Sequence, residues 1–212
     1  MSTVSRSRVL ASLSWSRLGL ASLSTTSPPA QGVPTLLFDV LFRDDASMLK
    51  DETMGFSTRS LDLAADELGL SRACAGAIKP AEIVHEFNAR KLVELGDRLH
   101  AMGPPSSMHD GLLRGVRERL VILDDYRATW AGALAAVADV SELERSLRHA
   151  EALTSTLLEY ADDTPAADMT WYTKRMLLGG IVGAAEVQLA GGDGTIEDIV
   201  SWADGTIAKL LV

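Results

Sequence analysis

Asp168-Met169-Thr170-Trp171-Tyr172-Thr173-Lys174-Arg175 opens the most apolar helix of this 212-residue chain, which runs on through Met176-Leu177-Leu178-Gly179-Gly180-Ile181-Val182-Gly183 to about Ala190. Asp168 has the side chain of an N-cap, able to accept a hydrogen bond from a first-turn amide, and Pro165 stands where a new helix is entered. Along the helix, Trp171, Arg175, Leu178, Val182, Glu186 and Leu189 recur at steps of three and four and share one face. Tyr172, Met176, Gly179 and Gly183 form the adjoining face. Trp171 and Tyr172 can serve as core aromatics, or as amphipathic anchors at an interface or at the headgroup level of a bilayer. Arg175 can fork onto a phosphate. Gly179, Gly180, Gly183, Ala184 and Ala185 offer little side-chain volume, so their face admits either a closely packed helix or an apolar ligand.

Outward from this helix the pattern is helical throughout. Leu36, Leu37, Val40 and Leu41 begin a stripe that predicts a helix to about Leu49, after a linker containing Pro28-Pro29 and Gly32-Val33-Pro34. Ser57 to Leu68 reads as an amphipathic helix stopped by Gly69, with Ser71 capping the next, in a helix-turn-helix layout. Pro80 opens a helix with Ile83, Val84, Phe87, Leu92, Leu95 and Leu99 inward, ended by Gly103-Pro104-Pro105. Leu112, Leu113, Val116, Leu120 and Leu123 mark another helix; Trp130, Leu134 and Val137 lie on its successor. Ser141 and Glu144 have the spacing of a capping box ahead of Leu147, Ala150, Leu153, Leu157 and Ala161, and Asp162-Asp163-Thr164-Pro165 closes that helix. Beyond the signature helix, Gly191-Gly192-Asp193-Gly194-Thr195 is a turn, and Thr195 caps a last helix carrying Ile196, Ile199, Val200, Ala203, Ile207 and Leu210.

Composition narrows the function. With 47% hydrophobic and 23% charged residues the chain suits one globular domain with an appendage, and its single Cys74 excludes an internal disulfide. Residues 1–38 hold Arg6, Arg8 and Arg17 and no acid, although the whole chain carries a net charge of −9. An acid-free, Arg- and Ser-rich start with scattered Leu, Val and Trp has the composition of an organellar transit peptide. The would-be recognition segment, Ser71 to Ile78, has one cation and no side chain suited to bidentate base reading, which argues against nucleic acid. No phosphate-binding loop, nucleophile elbow or His-Glu-x-x-His is present, so no catalytic residue, metal or cofactor is assigned. Glu82/His85 and Asp97/His100 have the carboxylate-x-x-His spacing of di-iron bundles, but they fall on one helix where such a site needs facing helices, and they read as solvated charges and incidental histidines. Glu186, alone in an apolar helix, requires a structural partner on a neighbouring element if buried.

The block Thr170 to Arg175, the following Leu-Leu-Gly-Gly and the downstream Asp193, Ile196-Glu197-Asp198 and Trp202 closely resemble the C-terminal signature of the lipid-binding accessory proteins of coenzyme Q (ubiquinone) biosynthesis. The likeness extends through Val116-Arg117-Glu118-Arg119-Leu120 and Gly55-Phe56-Ser57 to Leu68-Gly69-Leu70-Ser71. It implies an all-α, TetR-like helical bundle with a vestigial N-terminal helix-turn-helix. On that reading residues 1–34 are a mitochondrial transit peptide and linker, 35–79 the helix-turn-helix-like part, 80–103 a connecting helix and 108–212 the lipid-binding part. The resemblance implies a non-catalytic protein that binds an isoprenoid quinone or phospholipid at Arg175, Leu178, Gly179, Val182 and Gly183. It also implies contact with a di-iron demethoxyubiquinone hydroxylase through Trp171 and Tyr172, at the matrix surface of the mitochondrial inner membrane. A TetR-like ligand-responsive regulator is the alternative, and a homodimer is left open.

Overall fold

The structure, a computed structural model, describes residues 32–43, 46–162, 169–192 and 194–210, with the side chains at 169–171 and 210 outside that description. Among the described residues every regular element is helical: α1 (Val33–Leu41), α2 (Ser47–Lys50), α3 (Thr58–Glu67), α4 (Arg72–Ala75), α5 (Pro80–Ala101), α6 (Met108–Asp124), α7 (Arg127–Ala136), α8 (Leu143–Tyr160), α9 (Met169–Gly191) and α10 (Ile196–Leu210), with a 3-10 turn over Val140–Glu142. The all-α expectation is met. The transit segment to residue 31, the closing Asp163-Thr164-Pro165, the Asp168 cap and Asp193 lie outside the described residues.

Local chemistry sets most helix ends where the sequence puts them. Pro80 takes the first turn of α5, and the Glu82 side chain accepts from the Lys79 amide at 3.2 Å. Gly69 and Gly103 follow helix ends at φ of 67° and 74°, a backbone region where a side chain is strained. Ser71 accepts from the Ala73 amide, and Thr195 and Asp198 cap α10 reciprocally, Thr195 N to Asp198 Oδ2 at 2.8 Å and Asp198 N to Thr195 Oγ1 at 3.2 Å.

Four expectations change. The helix from Leu36 to Leu49 is two helices: α1 ends at Leu41 with Phe42 as its C-cap, and α2 starts only after Ala46, whose φ of 55° does not fit a right-handed helix. Pro34 belongs to α1 rather than ending a linker; in the first turn its missing N–H leaves no internal bond unmade. The Ser141–Glu144 capping box does not form. Asp139 instead accepts from Ser141 N at 2.7 Å to cap the 3-10 turn, and Glu144 pairs with Arg148 one turn on. Leu147, assigned to the buried stripe of α8, is 60% exposed.

The core lies among α5, α6, α8, α9 and α10, which pack against one another in the pairs α5–α6, α5–α8, α6–α8, α8–α9, α6–α10 and α9–α10. Aromatics are only 5% of the chain and are concentrated: Phe87 of α5 meets Tyr126 at 4.7 Å and Phe56 at 5.1 Å, both edge-on, and Trp130 at 5.5 Å. Phe56 comes from the turn before α3, so this cluster ties the short N-terminal helices to the bundle. Thr129 adds a hydrogen bond to the Leu49 carbonyl at 2.7 Å.

Where α6 crosses α8 the approach is closest. A Cβ on Gly111 would stand 2.8 Å from the Ala161 Cα, whereas one on Gly132, in α7, would meet nothing within 4 Å. The two glycines should therefore respond with opposite sign. Gly111→Ala is expected to cost about 1–3 kcal/mol through overpacking against backbone, and Gly132→Ala to gain about 0.5–1 kcal/mol from helix propensity. Thermal unfolding followed by circular dichroism reads both, and a Gly111→Ala variant as stable as the parent would show that the α6–α8 contact is loose.

Candidate ligand groove

Helix α9 has two apolar faces, and each has a separate task. Leu178, Val182, Glu186 and Leu189 follow one another at helical spacing and are all buried. On the other side Tyr172 is 58% exposed, Met176 and Leu177 are exposed, and Gly180 and Gly183 face open space. The glycines leave a gap beside α8. Between the helices runs a groove of about 500 Å³, with Leu147, Ala150, Glu151 and Thr154 on the α8 side and Tyr172, Arg175, Met176, Gly179 and Gly180 on the α9 side. That volume falls in the range of small-molecule sites.

Of the residues the sequence singles out, Arg175, Gly179 and Tyr172 line this groove, while Leu178 and Val182 are buried in the core on the other face of α9 and Gly183 lies further along α9 toward solvent. Trp171 opens α9, and its side chain lies outside the described residues. The sequence reading misses the α8 side of the groove. Leu147, Glu151 and Thr154 fall on a common face at steps of four and three, a signal present in the sequence but hidden by the reading of that stripe as core.

Arg175 supplies the groove's positive group. Its Nη2 donates to the Glu151 carbonyl oxygen at 3.1 Å and to Ser155 Oγ, and stands 3.4 Å from Glu151 Oε1. The guanidinium thus leans back onto α8.

Behind the groove is a buried polar network. Arg119 of α6, 1% exposed, donates from Nε to Glu186 Oε1 at 2.8 Å and from Nη2 to Asn88 Oδ1 at 2.9 Å, joining α6 to α9 and α5. Glu186 therefore has the neighbouring partner its burial requires. The guanidinium carbon also lies 5.8 Å from the Trp130 ring centroid, within cation–π range. Arg119 falls on the same α6 face as Val116, Leu120 and Leu123, so its burial could have been read from period alone.

Glu82/His85 and Asp97/His100 do share one helix, α5. Asp97 and His100 are exposed, whereas the His85 side chain is 8% exposed and its Nε2 lies 3.1 Å from Glu142 Oε2. Burial pushes the Glu142 carboxyl up, and the His85 hydrogen bond together with Lys79 outweighs it and holds the group below the usual range. His149 is pushed down to about 3, by burial first and then by the Arg119 and His85 charges. After α3, α4 is a single turn, and its Arg72 is engaged by Asp66 at 2.6 Å. Among the described residues no group of three or more His, Cys, Asp or Glu is placed to hold a metal, and no helix is long and apolar enough to cross a membrane.

Fold and site together define an all-α helical protein whose candidate site is an apolar groove, not a cluster of reacting groups. The family model described as COQ9 matches residues 143–200, which span the whole of α8 and α9 and hence every residue lining the groove. The resemblance read from the sequence is borne out over the groove-building segment, which matches the COQ9 family model. A relative from Drosophila melanogaster, named ubiquinone biosynthesis protein COQ9, mitochondrial, is 24% identical over 150 residues, covering 68% of this chain and 46% of the relative. The chain thus spans less than half the length of that relative.

Two measurements test the network. Glu186→Ala leaves the Arg119 charge buried with Asn88 as its remaining hydrogen-bond partner and should cost about 3–5 kcal/mol, whereas Arg119→Met with Glu186→Leu should recover most of that loss. Denaturant unfolding of the three proteins decides it, and a harmless Glu186→Ala would mean that the pair is solvated. His149 gives a pH dependence of definite sign. Its folded pKa lies below its ordinary 6.5, so between pH 6.5 and about 3 the unfolded chain binds the extra proton and stability falls as pH drops. Relative to the parent, His149→Gln should lose about 2 kcal/mol less between pH 7 and pH 5. Parallel unfolding curves at the two pH values check this.

Proposed function

We propose that the protein serves ubiquinone biosynthesis in the mitochondrion as a non-catalytic accessory protein, binding an isoprenoid quinone intermediate or a phospholipid in the α8–α9 groove. The observation that carries this reading is the coincidence of the groove with the COQ9-matching segment, residues 143–200. The name of the Drosophila relative supports the pathway and the organelle. The physical need is plain: a polyprenyl quinone is nearly insoluble, and an apolar groove lowers the cost of bringing its head group to an enzyme. Arg175 and Gly179 contact the ligand, Leu178 and Val182 hold α9 on the core from its other face, and Gly183 lies beyond the groove toward solvent.

The substrate is presented to the di-iron demethoxyubiquinone hydroxylase at the matrix face of the inner membrane, where the protein sits peripherally. Trp171 and Tyr172 form the docking patch, since aromatic anchors commonly dominate such contacts and Tyr172 is exposed at the groove. The segment ahead of α1 acts as the import signal and linker, the part from α1 to residue 79 as the helix-turn-helix-like part, 80–103 as the connecting helix, and 108–212 as the ligand-binding part.

Native mass spectrometry of the purified full chain should find co-purified lipid. Gly180→Leu, which places a side chain in the groove, should reduce that occupancy at least tenfold without lowering the melting temperature. Trp171→Lys should stay folded by circular dichroism and lose on the order of a hundredfold in affinity in a hydroxylase pull-down, since it buries an unpaired ammonium in the contact. An unfolded Trp171→Lys protein would assign the ring to the core instead.

A further inference from the structure

Among the described residues that line the groove, Arg175 is a cation and Glu151 an anion, and the two are paired. Arg175 Nη2 lies 3.4 Å from Glu151 Oε1 and donates to the Glu151 carbonyl oxygen at 3.1 Å, so the two residues are linked through side chain and backbone. The Arg175 side chain is 13% exposed and that of Glu151 67% exposed, so of the two charges the carboxylate is the more accessible to an arriving head group. The remaining lining residues, among them Leu147, Thr154, Tyr172 and Met176, carry no charge. Lys174 is next along the helix and is not part of the lining.

The geometry points to a groove selective for a head group without net negative charge, with Glu151 as the residue that sets the selection. This rests on the groove being the ligand site. A phosphate monoanion aimed at Arg175 meets a cation already neutralised, and must either displace the Glu151 carboxylate or lie beside it as a like charge. A quinone carbonyl bears neither cost, because it carries no charge to set against the Glu151 carboxylate and does not need the ion pair to open. A zwitterionic head presents its ammonium to Glu151 and its phosphate to Arg175, matching the pair sign for sign. The net charge of −9 acts in the same direction at long range by repelling anions.

The test is competition among three probes on the purified full chain, namely phosphatidylglycerol, phosphatidylcholine with the same acyl chains, and a short-chain ubiquinone, with occupancy read by native mass spectrometry. The parent should favour phosphatidylcholine and the quinone over phosphatidylglycerol by about fivefold, the scale of a partly solvated ion pair. Glu151→Gln should raise phosphatidylglycerol occupancy about fivefold and leave the quinone within about twofold. Adding Arg175→Ala to Glu151→Gln should remove the gain, which shows that it runs through the guanidinium. Glu151→Ala, with circular-dichroism melting of each variant, guards against a folding artefact. Equal occupancy by all three probes in the parent, or an unchanged preference in Glu151→Gln, overturns the selectivity while leaving the groove as a ligand site. Failure of every probe to bind, with the fold intact, overturns the groove reading and this inference together.

Discussion

The buried contact between Arg119 and Glu186 is the constraint on which the site depends. Two opposite charges with almost no solvent access are tolerable only if their hydrogen-bond geometry is kept, since each would otherwise bear its own desolvation cost. Nε to Oε1 at 2.8 Å and Nη2 to Asn88 at 2.9 Å fix three helices in rotation and height at once. An apolar seam alone is more permissive, because leucines can slide by part of a turn with little change in buried area. With Glu186 pinned, the α9 residues at 178 and 182 must face the core, and those at 176, 179 and 180 must face α8 and the groove. The polar network thus sets the rotation of α9, and that rotation defines the groove.

How much of this was legible depends on the range of the interaction involved. Elements governed by local chemistry were readable: Pro80 and Ser71 at helix starts, Gly69 and Gly103 at helix ends, and Thr195 with Asp198 around the last cap. Glu186 was legible in a stronger sense, since an acid within an apolar helix demands a partner wherever that helix is buried. What escaped were cases in which two local solutions compete. Ser141 and Glu144 have the spacing of a cap, but Asp139 two residues earlier takes the Ser141 amide and starts a 3-10 turn instead. The stripe from Leu36 to Leu49 continues in period while its backbone does not, because period reports which residues face inward and says nothing of φ at Ala46.

The groove was half legible for a related reason. Its α9 side is announced by glycines and alanines that leave space, whereas its α8 side consists of a leucine, an alanine, a threonine and a glutamate that any amphipathic helix could carry. Leu147 reads as core because apolar residues at helical spacing are usually buried. Here Gly179 and Gly180 stand across from it and send no side chain to cover it, so the same leucine lines a groove. A void is a property of two surfaces, and the residue that creates it is often not the one that lines it.

Helix α9 keeps the two demands on opposite faces. Leu178, Val182 and Glu186 hold the bundle together and tolerate little change, because each is buried and Glu186 is charged. Arg175, Met176, Gly179 and Gly180 border the groove, and a side chain added at Gly180 would meet nothing within 4 Å. A helix apolar on both faces has little net amphipathicity, which is why its sequence reads as the most apolar of the chain rather than as an ordinary surface helix. That composition carries a cost, since Met176, Leu177 and Val187 remain 52–79% exposed to water. The hydrophobic effect gives no return on that area within the folded chain, so the free energy it holds is available only when something apolar covers it.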